Sequence, residues 1–237
     1  MERIHPKEAE ANVMRVASFD IGYRNFAYCV EEINLDSLST IENIPKLKRY
    51  FKGGGCTPDF ALLLKKVYGS GTIVLMDNVD LTIDCEMMKG KRAKTTLDPA
   101  IFINMNKELD KFKHVWNQCT TFIIEQQMSF GKKRNTNALK LGQHCYSYFT
   151  FQYAQFKTIV EFPAYYKTQV LGAPKKLTKP DRKRWAVEKA MEILTERQDI
   201  NTLQLVTSRK KADDLSDTLL HIQAFKYLVF VDKSYEN

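Results

Sequence analysis

Four carboxylates in this 237-residue chain are spaced so that they could share one piece of chemistry. Asp20 closes the apolar run VMRVASF, and Glu125 closes a second such run, TTFII. Asp214 and Asp217 stand three apart, a spacing that puts both on one face of a helix. An isolated Asp after a strand is ordinarily a turn or cap residue. Four acids meeting at one place would repel one another, and divalent cations relieve that repulsion. All-oxygen ligation selects hard ions such as Mg²⁺, with Mn²⁺ able to substitute. Two such ions about 4 Å apart are a general device for hydrolysing a phosphodiester. Asp213 is four before Asp217 and shares a face with it too, so either Asp213 or Asp214 could complete the pair.

The elements that must position these acids follow from patterning. Val13–Phe19 reads as a buried strand and Asn25–Ile33 as its hairpin partner, joined through Gly22–Arg24. Thr72–Ile83 has the alternation of a third strand, and Thr120–Glu125 and Thr158–Phe162 read as the fourth and fifth. Asp98 and Pro99 open a helix that should run to about Trp116, as N-cap and first helical residue. Further helices are expected over Asn137–Phe156, Pro180–Arg197 and Ala212–Val231, the last with an acidic first turn that suits its dipole. Leu35–Asp59, broken by Pro45, Pro58 and three glycines, reads as an irregular exposed insertion, and Pro163–Lys179 as a loop. The expectation is one domain over 1–237: an α/β fold with a mixed five-stranded sheet flanked by helices. The hairpin carries strands two and three outward, leaving strands one and four free to be neighbours.

Composition narrows the partners. Thirty-six Lys and Arg against 28 Asp and Glu give a formal charge of +8, which favours polyanions because phosphate neutralisation releases counterions. The five cysteines include no CxxC pair, so neither a disulfide framework nor a zinc knuckle is indicated. No apolar run is long enough to span a membrane, and residues Met1–Val13 contain no apolar signal core. A cytoplasmic protein is expected.

SFDIGYRNFAYCV (Ser18–Val30), FIIEQQ (Phe122–Gln127) and KKADDLSD (Lys210–Asp217) together resemble the RuvC-like Holliday junction resolvases, most of all the poxvirus-type and fungal mitochondrial-type branches. The resemblance spans most of the chain in order. It implies an RNase H-like fold, a homodimer, two Mg²⁺ per site and symmetric paired nicking of four-way DNA junctions. Carried over by motif, the acids are Asp20 in the DIG turn, Glu125 in IEQQ, and Asp214 with Asp217 in DLSD. Some resolvases of this group place a histidine in the last acidic cluster. The nearest one here, His221, is read instead as an ordinary helix residue.

DNA contacts are expected beside the acids. In MSFGKKRN, Lys132, Lys133 and Arg134 could meet phosphates while Phe130 stacks on an unpaired base. Lys211 adjoins the acidic helix and could steady the scissile phosphate, and the basic run Lys175–Arg184 could serve a DNA arm. The aromatic helix around Tyr146–Tyr153 carries more apolar surface than one buried face needs, and the resemblance places a dimer contact near it. Rival readings are another RNase H-fold nuclease or strand transferase, a noncatalytic nucleic-acid-binding module, and an actin-like phosphotransferase. The last needs a longer chain and a second glycine-rich loop.

Overall fold

The computed structural model describes residues 12–86, 96–127 and 135–235. Its centre is a five-stranded sheet made of β1 (Val13–Asp20), β2 (Phe26–Asn34), β3 (Gly71–Val79), β4 (Thr121–Gln126) and β5 (Thr158–Pro163). The strand order is β3-β2-β1-β4-β5. β1–β2 and β2–β3 are antiparallel, whereas β1–β4 and β4–β5 are parallel. This is the mixed RNase H-like sheet expected from the sequence: the hairpin leads outward, and the chain returns to lay β4 against β1.

Helices cover both faces. On one lie α3 (Pro99–Lys111), α4 (Lys113–Trp116) and α5 (Thr136–Tyr153). Their core is aromatic, with Phe122 stacked on Phe149 at 4.3 Å and Phe19 at 4.9 Å from the same ring. The opposite face holds α2 (Pro58–Gly69), α7 (Lys179–Glu196) and α9 (Ala212–Lys226), packed on Val16, Ala27, Cys29, Ile33 and Ile123. Odd and even residues of β1 thus serve opposite cores, as the two-residue period of a strand requires. Asp98 caps α3 through a 2.9 Å bond from the Ala100 N–H, with Pro99 at the first helical position as expected.

The structure corrects several local expectations. The segment 35–59 is partly regular: it contains α1 (Leu35–Ser39), a 3-10 turn at Lys46–Lys48 and the start of α2. Thr57 caps α2 and Pro58 begins it, a start signal present in the sequence but overshadowed by the neighbouring glycines. The supposed loop 163–179 holds α6 (Tyr165–Val170), and α8 (Ile200–Ser208) follows α7 behind an Asp199 cap. The helix from Pro99 breaks at Phe112, and the last helix gives way to a π-helical turn over Tyr227–Val231.

Candidate active site

β1 and β4 run parallel with Phe19 opposite Ile124, so the next residues, Asp20 and Glu125, leave the sheet side by side. Beyond Asp20 the chain turns sharply. A Cβ on Gly22 would lie 3.0 Å from the Asn25 carbonyl oxygen, closer than most side chains tolerate. α9 crosses β1 and β2 and brings its acidic first turns over this edge.

The structure brings Asp20, Glu125 and Asp217 together around a group that the motifs did not single out, Lys167 of α6. Its Nζ is 2.6 Å from Asp217 and 3.8 Å from Glu125, and its side chain is 7% exposed. Burial would lower the pKa of this ammonium, but Asp217, Glu125 and Asp20 outweigh that and hold it charged, with the pKa above its ordinary value. Asp20 behaves oppositely. Burial, then the negative charge of Glu125, raises its carboxyl well above the usual range, which favours the protonated form able to donate to Glu125. Burial would likewise raise Glu125; Lys167, with hydrogen bonds from Asp20 and Gln127, reverses this and keeps the carboxyl below its usual range. The Gln127 amide donates to Glu125 at 3.0 Å.

Asp213 and Asp214 stand to one side. Asp213 pairs with Lys183 of α7, which outweighs burial and keeps the carboxyl below its usual range. Asp214 is pushed up to about 6, first by burial and then by Asp213. Lys211 is exposed and close enough to favour the ionised form of both. Phe130, Lys132, Lys133 and Arg134 fall outside the described residues.

His221, one turn beyond Asp217, is fully buried, and neither ring nitrogen has a hydrogen-bond partner among the described residues. Phe162 packs edge-on against its ring. Burial and Lys167 lower its pKa to about 3, so the ring is neutral. A polar ring without hydrogen bonds beside Glu125 and Lys167 is costly, which an ordinary helix histidine would not be.

The donor set is chemically right for a hard divalent cation: carboxylate oxygens, largely buried, one of them protonated to limit repulsion. Among the described residues, however, no three acid, His or Cys side chains stand at ligating distance from a common point. Lys167 occupies the place of positive charge instead. Glu125 and Asp217 line a cleft of about 560 Å³ with Lys167, Lys179, Arg182 and Lys183 on its walls. Carboxylates and cations lining one cleft suit a phosphate backbone held over metal ligands.

No protein-family model matches the chain. The chain is 32% identical over 254 aligned positions to uncharacterized protein 170L of invertebrate iridescent virus 6, covering 96% of this chain and 94% of that protein. It is 31% identical over 226 positions to uncharacterized protein 97L of invertebrate iridescent virus 3, covering 89% and 98%. Similar solved structures include Thermus thermophilus RuvC, with a TM-score of 0.49 and 10% identity over 92% of this chain and 98% of that one. The yeast mitochondrial Holliday junction resolvase Ydc2 gives a TM-score of 0.42 and 13% identity over 94% and 86%.

Proposed function

We propose that this chain, which belongs to the family of proteins 170L and 97L of the invertebrate iridescent viruses, is a divalent-metal-dependent endonuclease that resolves four-way DNA junctions. The observation that carries this reading is the convergence of Asp20, Glu125 and Asp217 at the edge of an RNase H-like sheet, on a basic chain whose motifs resemble those of RuvC-like resolvases. Asp20, Glu125, Asp214 and Asp217 would hold the metal. Two Mg²⁺ ions, or Mn²⁺ in their place, would supply Lewis-acid activation of water and charge for the leaving 3′ oxygen if held by these four carboxylates.

The chain's own groups do the rest. Asp20 must give up its proton and Asp217 must let go of Lys167 before either can serve as a ligand. Lys167 then has its charge free for the phosphate, in the same cleft as Lys183. Gln127 holds Glu125 in orientation throughout.

Paired nicking of a junction requires two sites related by a dyad. The end of α5 favours a homodimer, since Phe151 is 94% exposed and Phe156, just beyond it, 86%. The whole chain is read as one nuclease domain, and no helix among the described residues is long and apolar enough to cross a membrane.

The test compares cleavage of a four-way junction, an RNA–DNA hybrid and linear duplex DNA under the same Mg²⁺ conditions. The proposal expects paired nicks confined to the junction. Equal cutting of all three would reduce the reading to an unselective RNase H-fold nuclease.

A further inference from the structure

A second cavity, about 540 Å³, adjoins the acidic cleft and shares Thr168 and Arg182 with it. Its walls come from segments far apart in sequence: Tyr50–Gly54, and residues 172–177 after α6. The two are stapled together. Gly54 bridges to Pro174, the Lys175 N–H donates to the Gly53 carbonyl at 3.1 Å, and the Tyr50 hydroxyl donates to the Val170 carbonyl at 3.0 Å. Glycine permits this approach. At Gly54, with φ +94°, a Cβ would come within 2.8 Å of the Ala173 carbonyl oxygen; at Gly172, with φ +77°, it would come within 2.3 Å of the Cys56 sulfur. The cavity is therefore fixed by backbone contacts.

Its chemistry is mixed in one particular way. Phe51 is 56% exposed and stands on the wall with Pro174 and Leu177, while Lys175, Lys176 and Arg182 supply positive charge. Among the described residues none of these three cations is paired with a carboxylate. An open aromatic ring among unpaired cations is the combination that single-stranded nucleic acid requires, ring for base and cation for phosphate. The size falls in the range of pockets that take one small organic ligand, too narrow for a duplex. Arg182 makes the cavity continuous with the cleft, so a strand lying over the acids can reach it.

We propose that this cavity is a subsite for one unpaired nucleotide of branched DNA, its base against Phe51 and its phosphate on Lys175, Lys176 and Arg182. The proposal rests on the nuclease reading of the cleft and adds to it a means of sensing the branch point, where unpaired nucleotides are available. It assigns a function to the 50–56 segment, which lies outside the sheet and its acids.

The test uses the intact chain with Ca²⁺ in place of Mg²⁺. A four-way junction and a single-stranded oligonucleotide, each carrying 5-iododeoxyuridine, are photo-crosslinked and the adducts mapped by mass spectrometry. The subsite predicts an adduct on Phe51 from the single strand and from a junction nucleotide beside the branch point. Phe51→Ala should weaken binding of both on the order of 10-fold, leave linear duplex binding unchanged, and melt like the parent. Absence of the Phe51 adduct from both probes, or parental binding by Phe51→Ala, overturns the subsite. Nicking measured in parallel with Mg²⁺ separates the two readings. Junction nicking without the adduct removes only the subsite; the adduct without nicking keeps the subsite and removes the nuclease.

Discussion

Two clusters of charge lie under α9, and they are built to opposite ends. In one, Glu31 is wholly buried and fully answered. Lys226 donates to it at 2.6 Å, Gln223 at 2.6 Å and Arg197 at 3.0 Å, and the Arg197 side chain also holds the Tyr68 carbonyl. Gly71 makes room, since a Cβ there would lie 1.9 Å from a Glu31 oxygen. In the other, Asp20, Glu125 and Asp217 share a single buried ammonium, with Asp213 and Asp214 adding more negative charge beside them. One carboxylate with two cations is a finished structural element. Among the described residues several carboxylates share one buried cation there, leaving them short of positive charge, and neither nitrogen of the adjacent histidine has a hydrogen-bond partner. The sheet and α9 could equally have carried a neutral second cluster, and the deficit is the ground on which the proposed site rests.

Substitutions sharpen this contrast on one scale, the free energy of unfolding in metal-free buffer. Glu31→Gln strands Lys226 and Arg197 without their counter-charge and should cost about 3–5 kcal/mol in chemical denaturation. A loss under 1 kcal/mol would show that the Glu31 network is not the structural member of the pair.

His221 comes next. Its folded pKa of about 3 lies below the ordinary 6.5, so the unfolded chain binds the proton that the native ring refuses. Its contribution is intact above pH 6.5 and is lost as the pH falls toward 3, by about 2 kcal/mol between pH 7 and 5. Asp20 and Asp214, both raised, drift the other way over part of that range, so the useful quantity is a difference. Stability measured against pH for the parent and for His221→Leu should diverge by that amount, with the variant the flatter. Parallel curves would mean that the ring finds a partner in solution.

Lys167→Met should cost about 1–2 kcal/mol by leaving Asp217 and Glu125 unanswered. Mg²⁺ or Mn²⁺ should then raise the melting temperature of the variant more than that of the parent, because the ion no longer competes with the ammonium. A smaller shift in the variant would mean that Lys167 helps to hold the ion. The smallest effect belongs to Asp20→Asn, expected within about 1 kcal/mol of the parent because the amide keeps the uncharged state that burial favours at this position. A large loss would place Asp20 with Glu31 as a structural acid.

Much of the scaffold was legible. Apolar runs ending on Asp20 and Glu125 marked β1 and β4, and the hairpin between them implied that those strands meet. The acidic first turn of α9 was equally plain. Lys167 was not, because YYKTQV has no helical period and its burial arises only from α9 packing on α6. Lys183 was visible as one member of a basic run, but only the packing of α7 on α9 selects it as the partner of Asp213. His221 lay in plain sight four residues after Asp217, yet a lone helix histidine carries no local mark of being buried without a partner. α2 was readable from Thr57-Pro58-Asp59 and the apolar residues that follow, and the glycines before it hid a signal that was present. Local signals located the acids; the cations that answer them are tertiary.

On the function proposed above, the acids around Lys167 take up a metal and cut DNA at a branch. Nicking of an end-labelled synthetic four-way junction by the parent and by Asp20→Asn, each with Mg²⁺ and with EDTA, tests it directly. The account predicts paired nicks for the parent with Mg²⁺ alone, and a loss on the order of 10³-fold or more for Asp20→Asn. Junction binding should survive in the variant, since affinity comes mainly from Lys and Arg. Cleavage that persists in EDTA, or that Asp20→Asn retains, would contradict it.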